Sequence, residues 1–211
     1  MNTLTVILAN GMFPTHPAPL KALKSANNLV CCDGAANTLV DCDEFSPVAV
    51  VGDGDSLSEA ARNKFAHCLV TRSCQETNDL TKAFRYCLEQ GWKEIVIVGA
   101  TGKREDHTLG NLSLLADFSR EASVRMMTDM CIITPVSKAT ALSSCEGQPV
   151  SFIACDSGVR LSVEGVKYPV QNLALKSWST ATLNVATGDA IRVHPVNGVV
   201  LVFQAYEGDS L

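Results

Sequence analysis

Four short segments of this chain place carboxylates, amides and an arginine directly after apolar, strand-like runs. They are residues 32–34, 52–56, 75–79 and 99–106. Carboxylates that hold a cation, beside amides and an arginine that contact anionic oxygens, are the groups that a metal-bound polyphosphate requires. The pattern therefore predicts a site for such a ligand.

The segment Gly52-Asp53-Gly54-Asp55-Ser56 is the candidate metal site. Asp53 and Asp55 are two residues apart, and both can face one ion if the turn curls at Gly54. Their hard oxygen atoms suit magnesium, and Asp79 can supply a third carboxylate. The alternative is structural: Asp-Gly marks turns, the following Ser-Leu-Ser-Glu can cap a helix, and a carboxylate at position 79 complements a helix dipole.

A glycine-rich turn at residues 99–102 lies between a predicted strand and a predicted helix. Its backbone amides can approach a phosphate closely, with charge from Lys103 or Arg104. It lacks the spacing of a P-loop, and a tight structural connection is the alternative. We interpret His107 as a residue that holds this loop by hydrogen bonds, since no Ser or Cys nucleophile pairs with it in the sequence.

These segments must be positioned by the elements between them. Continuous apolar runs at residues 4–9, 29–32, 48–51 and 95–98 predict buried parallel strands. Helices are predicted at residues 20–26, 35–40, 58–67, 78–90 and 108–118. This alternation is typical of an α/β domain, whose ligands bind at the carboxyl ends of the strands.

The pattern changes after about residue 119. Short segments separated by Gly, Pro, Asn and Asp predict an antiparallel sandwich or barrel. They are residues 124–127, 131–135, 150–154, 159–163, 190–193 and 199–203. The boundary falls near residues 120–135, and we predict domains at 1–128 and 129–211.

Composition narrows the class of protein. Apolar residues make up 46% of the 211 and charged residues 18%, which indicates a folded globular protein. The net charge of -5 disfavours nucleic acid as a partner. Neither a basic leader nor a membrane-length apolar run is present, and the nine cysteines form no C-x-x-C pair, so we predict a cytoplasmic, reducing location with no membrane partner.

Taken in order, residues 32–37, 52–56, 75–82 and 99–111 resemble the thiamine pyrophosphokinase (thiamine diphosphokinase) family. Residues 165–169, Gly-Val-Lys-Tyr-Pro, resemble a segment of its carboxy-terminal half. The resemblance implies an amino-terminal Rossmann-like three-layer domain with a mostly parallel sheet, which holds Mg²⁺ and ATP, and a carboxy-terminal all-β sandwich. It further implies a homodimer whose interface helps to form the thiamine site.

The implied activity is that of an ATP:thiamine diphosphotransferase. It moves a pyrophosphoryl group from ATP to the thiamine hydroxyl and yields thiamine diphosphate and AMP. Carried over by motif, the catalytic residues are Asp53, Asp55, Asp79 and Arg104, and the three aspartates are the metal ligands. The ATP-binding residues are Asp33, Asn37, Gln75, Asn78, Gly102, Arg104 and Asp106.

The chain departs from the family pattern at two places. Asn78 stands where the family often has Thr, so an amide replaces a hydroxyl. Near the carboxy terminus, where the family usually has a Ser-Asn pair, residues 179–184 read Ser-Thr-Ala-Thr-Leu-Asn. Trp178, Ser179 and Asn184 are the predicted thiamine contacts. The Trp178 ring can stack on the cationic thiamine ring, and packing in the core is the alternative.

Two other functions explain part of the pattern. In a nucleotide-sugar transferase, Asp53-Gly54-Asp55 would be a D-x-D metal site and the second domain would bind the acceptor. In a non-catalytic nucleotide- or carbohydrate-binding module, the acidic segments would be structural turns and ligand would bind without turnover.

Overall fold

The computed structural model describes residues 3–206, which form two compact units divided between Asp129 and Met130. Residues 1–2, at the start of the predicted first domain, and residues 207–211, at the end of the second, lie outside the described part. The division into a nucleotide domain at 1–128 and a thiamine domain at 129–211 stays a prediction.

A parallel sheet forms the centre of the first unit, as the buried apolar runs predict. Its strands lie in the order β6-β5-β1-β2-β3-β4, with every neighbouring pair parallel. All their carboxyl ends therefore lie along one edge, where ligands of such sheets bind. The strands are β1 (Thr5–Leu8), β2 (Asn28–Cys32), β3 (Ala49–Gly52), β4 (Leu69–Thr71), β5 (Glu94–Val98) and β6 (Ser123–Met127).

Two of these strands, β6 and β4, differ from the sequence-based prediction. Residues 124–127, which we assigned to the antiparallel part, form β6 and pair in parallel with β5. The strand β4 was not predicted, because it has only three residues and lies half-buried at the edge of the sheet, without a continuous apolar run.

Four α-helices connect the strands: α1 (Pro17–Lys24), α2 (Glu59–Lys64), α3 (Asp79–Glu89) and α4 (Glu105–Phe118). The helix predicted at residues 35–40 is instead a 3-10 helix, Asp33–Leu39. It begins with a backbone φ of 24° at Asp33, a conformation that non-glycine residues rarely adopt. Gly52 permits this packing, because a Cβ at position 52 would lie 2.5 Å from the Cβ of Asp33.

The core of the first unit joins its helices to the sheet. Ile7 and Ile97, on neighbouring strands, are fully buried. Phe84 of α3 and Phe118 of α4 are also buried, and their rings stack with centroids 3.9 Å apart. Burying such a side chain contributes about 1.5–3 kcal/mol to stability, so these contacts fix the helices whose first turns carry the candidate site residues.

The second unit is built from two antiparallel sheets, as its segmented pattern predicts. One has the order β12-β9-β14-β7 and the other β11-β10-β13-β8. Phe152 and Val202 of the first sheet and Leu161 and Ile191 of the second belong to one buried cluster. The strands are β7 (Cys131–Val136), β8 (Thr140–Ser143), β9 (Pro149–Ala154), β10 (Arg160–Glu164), β11 (Val170–Ala174), β12 (Asn184–Val185), β13 (Ala190–Val196) and β14 (Val200–Ala205).

Sequence reasoning missed β8, β11 and β12, which alternate polar and half-buried residues or are very short. The mixed fold, with a large mostly parallel sheet and a second, antiparallel sheet, is confirmed. Over residues 3–206, none of the helices combines the length and apolar character needed to cross a bilayer.

Candidate active site

A cavity of about 470 Å³ opens in the first unit, at the carboxyl edge of its sheet. The first turns of α3 and α4 line it, and helix N-termini of this kind favour anionic ligands. Five predicted site residues lie in its wall: Asp53, Gln75, Asn78, Asp79 and Arg104. The other lining residues are Ala9, Asn10, Gly11, Cys32, Ser56, Thr77, Leu80, Lys82, Ala100, Thr101, Lys103, His107, Thr108 and Asn111.

Asp53 and Asp79 both contact the buried side chain of Lys82. The Nζ of Lys82 lies 3.3 Å from Oδ2 of Asp53 and 3.0 Å from Oδ1 of Asp79. The Asp55 amide and the Lys82 ammonium both donate to Asp53 and lower the pKa of its carboxyl group. Burial opposes the charge of Lys82, but Asp79 and Asp53 outweigh this effect and raise its pKa. Asp53 is thus held ionised, beside a charged ammonium.

Asp33 and Asn37 fix the loop that carries Asp53 and Asp55. Oδ2 of Asp33 accepts a hydrogen bond from the Ser56 amide at 3.0 Å. Asn37 donates to the Ser56 carbonyl at 2.8 Å and accepts from the Ser58 amide at 2.9 Å. Burial raises the pKa of Asp33, and its Oδ1 is buried with no hydrogen-bond partner among residues 3–206. The structure therefore places both residues behind the loop, where they shape it.

Asn78 caps α3. Its Oδ1 accepts hydrogen bonds from the amide and the hydroxyl of Thr81, both at 2.9 Å. A side-chain oxygen at this position satisfies a free amide of the first turn, and Asn and Thr both perform this role. The change from the family's usual Thr therefore preserves the cap. It leaves the Asn78 Nδ2 on the cavity side, 3.4 Å from Oδ1 of Asn111.

The loop that carries Asp53 and Asp55 is followed by a capped helix, as the structural alternative predicted, with the cap two residues after Ser56. Ser58 accepts from the Ala61 amide at 3.1 Å and begins α2. Asp55 donates its amide to Oδ1 of Asp53 at 3.2 Å. The segment is thus a turn that also brings one carboxylate, that of Asp53, to the cavity wall, whereas Asp55 is not among the residues that line the cavity.

Backbone contact shapes the glycine-rich turn after β5. The Gly11 amide donates to the Gly99 carbonyl at 2.6 Å, and a Cβ at position 11 would lie 2.4 Å from that oxygen. Gly102 has a φ of 88°, and its Cβ would lie 2.7 Å from the Cβ of Met12. Gly102 therefore permits the close packing of two loops, and Ala100 and Thr101 beside it line the cavity.

Arg104 and Asp106 form an exposed ion pair at the start of α4. The guanidinium Nε donates to Oδ1 of Asp106 at 3.1 Å, and an NH2 group donates to Oδ2 at 2.5 Å. This pair lowers the pKa of Asp106 to about 2. Asp106 also accepts from the His107 amide at 3.0 Å, so it orients Arg104 at the cavity wall. His107 itself lines the cavity.

Magnesium fits part of this arrangement. Asp53 and Asp79 already hold one cation in common, the Lys82 ammonium, and their oxygens are the hard donors that magnesium prefers. Within residues 3–206, no three His, Cys, Asp or Glu side chains are grouped as the ligands of one ion. The three-carboxylate metal site stays a prediction.

Three polar residues of the cavity wall with side-chain contacts there were given no role by the sequence, Asn10, Lys82 and Asn111, whereas Lys103 was predicted as an alternative to Arg104. The Lys103 ammonium donates to the Asn10 carbonyl at 3.2 Å, and the Asn111 amide donates to the Ala100 carbonyl at 2.8 Å. Lys82 had a readable signal, because it lies three residues after Asp79 on one helix and can pair with it. The partners of Asn10 and Asn111 are distant in sequence and gave no such signal.

The predicted thiamine contacts lie in the second unit. Trp178 is 51% exposed, and Ser179 contacts Ser177 through their hydroxyls at 2.9 Å. Asn184 is buried, accepts from the Tyr168 amide at 3.1 Å and donates to the Tyr168 carbonyl at 2.8 Å. The Asn184 side chain thus holds the Tyr168 backbone, while Trp178 presents a free aromatic surface.

Comparison with known proteins adds an independent finding. The family described as "Thiamin pyrophosphokinase, catalytic domain" matches residues 20–128, and "Thiamin pyrophosphokinase, substrate-binding domain" matches residues 131–203. The chain is 29% identical to Thiamin pyrophosphokinase 1 of Caenorhabditis elegans, over 70% of this chain and 66% of that protein, slightly under two thirds of its length. It is 28% identical to Thiamine pyrophosphokinase of Bacillus subtilis, over 72% of this chain and 74% of that one.

Solved structures share the fold. The thiamin pyrophosphokinase from Candida albicans superposes with a TM-score of 0.82 at 17% identity, over 96% of this chain and 90% of that chain. The enzyme from Bacillus subtilis superposes with a TM-score of 0.81 at 24% identity, over 97% and 100% of the two chains. The predicted family, and with it the prediction of an enzyme, is confirmed. The family matches together extend over most of the chain, which therefore belongs to the thiamin pyrophosphokinase family.

Proposed function

We propose that this chain transfers the pyrophosphoryl group of ATP to the hydroxyl of thiamine. The hydroxyl oxygen bonds to the β-phosphorus, the bond from that phosphorus to the α–β bridging oxygen breaks, and AMP leaves. The hydroxyl proton passes to solvent or a base. The observation that carries this proposal is the cavity of the first unit, where carboxylates, cations and two helix N-termini meet in a chain of this family.

The first unit supplies the charge chemistry. In the proposal Asp53, Asp55 and Asp79 bind Mg²⁺, which when bound neutralises charge on the phosphate oxygens. Arg104, oriented by Asp106, stabilises negative charge that develops on the transferred group, and such preorganised contacts favour the transition state over the ground state. Positioning and electrostatics are sufficient for phosphoryl transfer, and little covalent chemistry is asked of the protein.

The proposed nucleotide contacts belong to the same cavity of the first unit or support it. Gln75 and Asn78 present amide groups to the cavity, and Gly102 lets the loop after β5 approach the phosphates. Asp33 and Asn37 contribute by holding the Gly52–Ser56 turn through Ser56. In this account they support ATP binding from behind the loop that carries the metal ligands.

The second unit supplies the thiamine contacts in this proposal. The exposed Trp178 stacks on the cationic ring, Ser179 provides a hydroxyl, and Asn184, which also holds the Tyr168 backbone, provides an amide. We further propose that the units are a Rossmann-like three-layer domain at 1–128 and a β-sandwich at 129–211. The active form is a cytoplasmic homodimer with the thiamine site at its interface.

The test is product analysis. Purified protein is incubated with ATP, Mg²⁺ and thiamine, and AMP and thiamine diphosphate are quantified by chromatography beside thiamine-free and EDTA controls. Equal amounts of the two products, dependent on both additions, are expected. ADP with thiamine monophosphate would contradict pyrophosphoryl transfer, and binding of a nucleotide sugar, or of nucleotide without turnover, would favour the two rival functions.

A further inference from the structure

Lys82 is the most deeply buried charged side chain at the cavity wall. Only 6% of it is exposed, against 23% for Asp53 and 34% for Asp79. It lies one turn after Asp79 on α3, and its ammonium reaches both carboxylates. A buried ammonium is stable only when oppositely charged groups replace the water it has lost, and these two aspartates do so.

The two carboxylates that hold Lys82 are among those that the proposed function assigns to magnesium. Oδ2 of Asp53 accepts from both Lys82 and Gln75 at 3.3 Å, and Oδ1 of Asp53 accepts from the Asp55 amide. Magnesium binds oxygen at about 2.0–2.1 Å and demands octahedral geometry. An ion held by Asp53 and Asp79 therefore shares both carboxylates with the ammonium, which already occupies one oxygen of each.

We propose that Lys82 is a positioning residue that acts as the resident counter-cation of Asp53 and Asp79. It keeps the two carboxylates close in the ion-free chain, where they would otherwise repel, and competes with magnesium for the same carboxylates. This inference rests on the metal role in the proposed function. Its consequence is that magnesium alone binds weakly.

In this proposal, nucleotide binding changes the competition between Lys82 and magnesium for the two carboxylates. Lys82 lines the same cavity as Lys103 and Arg104, so an ammonium displaced by magnesium lies beside the space assigned to the phosphates. Phosphate oxygens then replace the carboxylates as its partners. Lys82 thereby couples the binding of the ion to the binding of the polyphosphate, so each ligand strengthens the other.

The first experiment is a calorimetric titration of EDTA-stripped protein with Mg²⁺, without ATP or thiamine. Lys82→Met keeps an unbranched side chain of similar length and removes the charge. Because a like charge close to the ion is lost, we expect the Kd for Mg²⁺ to fall on the order of tenfold. Lys103→Met is the matched control. It removes a cation from the same cavity wall that, among the described residues, hydrogen-bonds Asn10, so its Kd should stay close to that of the parent chain.

Thermal unfolding provides a second measurement. In EDTA, Lys82→Met should unfold at a lower temperature than Lys103→Met, and Mg²⁺ should restore more of the Tm of Lys82→Met than it adds to the parent chain. Titration in the presence of α,β-methylene-ATP, whose α–β bridge the reaction cannot cleave, should strengthen Mg²⁺ binding less in Lys82→Met than in the parent chain. A general loosening of the site would weaken Mg²⁺ binding, whereas the proposal predicts that it tightens.

An unchanged or weaker Mg²⁺ affinity in folded Lys82→Met would overturn the proposal. If that variant does not fold, Lys82→Gln, which retains hydrogen-bond donors without the charge, provides the same comparison with the same two outcomes. Failure of pyrophosphoryl transfer is a separate result, because the Mg²⁺ titration contains neither substrate. A chain that makes no thiamine diphosphate can still show the tighter ion binding.

Discussion

In the first unit the candidate residues lie in a cavity and contact one another, whereas in the second unit Trp178 and Leu183 lie exposed on the 176–183 loop. Ion pairs hold Asp53 and Asp79, and a helix cap holds Asn78. The contrast indicates that the charged site is preorganised within one chain. The proposed thiamine surface still offers exposed apolar area to a ligand or a partner.

The 176–183 loop also has an unusual backbone. Ala181 and Leu183 have φ values of 67° and 59°, which cost on the order of 1 kcal/mol each for residues with a Cβ. The Ala181 carbonyl accepts from the Phe152 amide, and the Leu183 amide donates to the Ser151 hydroxyl. These contacts with β9 stabilise the strained loop and present Leu183 at 80% exposure. Such a surface agrees with the proposed homodimer, in which a second copy covers it.

The largest effect is expected at the preorganised, charged site of the first unit. Asp53→Asn keeps the size of the side chain and removes its charge, so kcat should fall on the order of 100-fold or more as metal-assisted stabilisation is lost. Initial rates of thiamine diphosphate formation measure it. Asp41→Asn, an exposed residue outside the cavity wall, is the control. Retained Mg²⁺-dependent activity in folded Asp53→Asn would refute the metal role.

Arg104→Ala should lower kcat by roughly 100-fold, because a charged donor to the developing negative charge is removed. Arg85→Ala provides the control, since Arg85 pairs with Glu121 on the surface and is not part of the cavity wall. Steady-state rates over a range of ATP concentrations separate kcat from KM. Unchanged kinetics would mean that Arg104 serves only its pair with Asp106.

Trp178→Ala tests the proposed thiamine surface of the second unit. Loss of a ring stacked on a cation should raise the KM for thiamine about tenfold, with the KM for ATP unchanged. Trp178→Phe keeps an aromatic face and should recover part of that affinity. Equal thiamine KM values in all three chains would remove Trp178 from the substrate site.

The smallest effect concerns a contact that is not part of the cavity wall. Burial opposes ionisation of Asp129, but hydrogen bonds from the Thr15 hydroxyl and from the amides of Thr15 and His16 outweigh it and lower its pKa. Because the folded pKa is below the unfolded value of about 3.9, this contact stabilises the fold above that pH. The stabilisation is lost as pH falls through the lower, folded pKa.

Urea unfolding of the parent chain and of Asp129→Asn at several pH values measures this contribution. The variant should be less stable near pH 7, and the difference should shrink in acid. A difference that is constant from pH 7 to pH 2 would show that the carboxylate charge is irrelevant to the contact.

The sequence predicted the parts of the fold that depend on local pattern. β1 and β5 are continuous apolar runs buried on both faces, so their type and place were readable. β4 was not, because Leu69–Thr71 is short and half-buried. Asp33 opens a 3-10 helix at a positive φ that depends on the packing of Gly52, a contact that spacing does not reveal.

The site was predictable in its residue types and less so in its contacts. Asp53, Asp79 and Arg104, which the sequence predicts as site residues, line the cavity, and their functional roles stay a prediction. Asn37 was assigned to nucleotide, yet its amide binds Ser56 and Ser58, about 20 residues away. Lys82 was overlooked because a charged residue inside a helix usually faces solvent, and only the folded chain brings Asp53 to it.

The most direct test of the central claim follows the phosphorus atoms. ATP labelled with ³²P at the β- or γ-position in separate reactions is given to the chain with Mg²⁺ and thiamine, and the products are separated. Attack at the β-phosphorus predicts that both labels enter thiamine diphosphate in equal yield, with none in AMP. Transfer of the γ-label alone, with the β-label left in ADP, would contradict a pyrophosphokinase and establish a simple phosphoryl transfer.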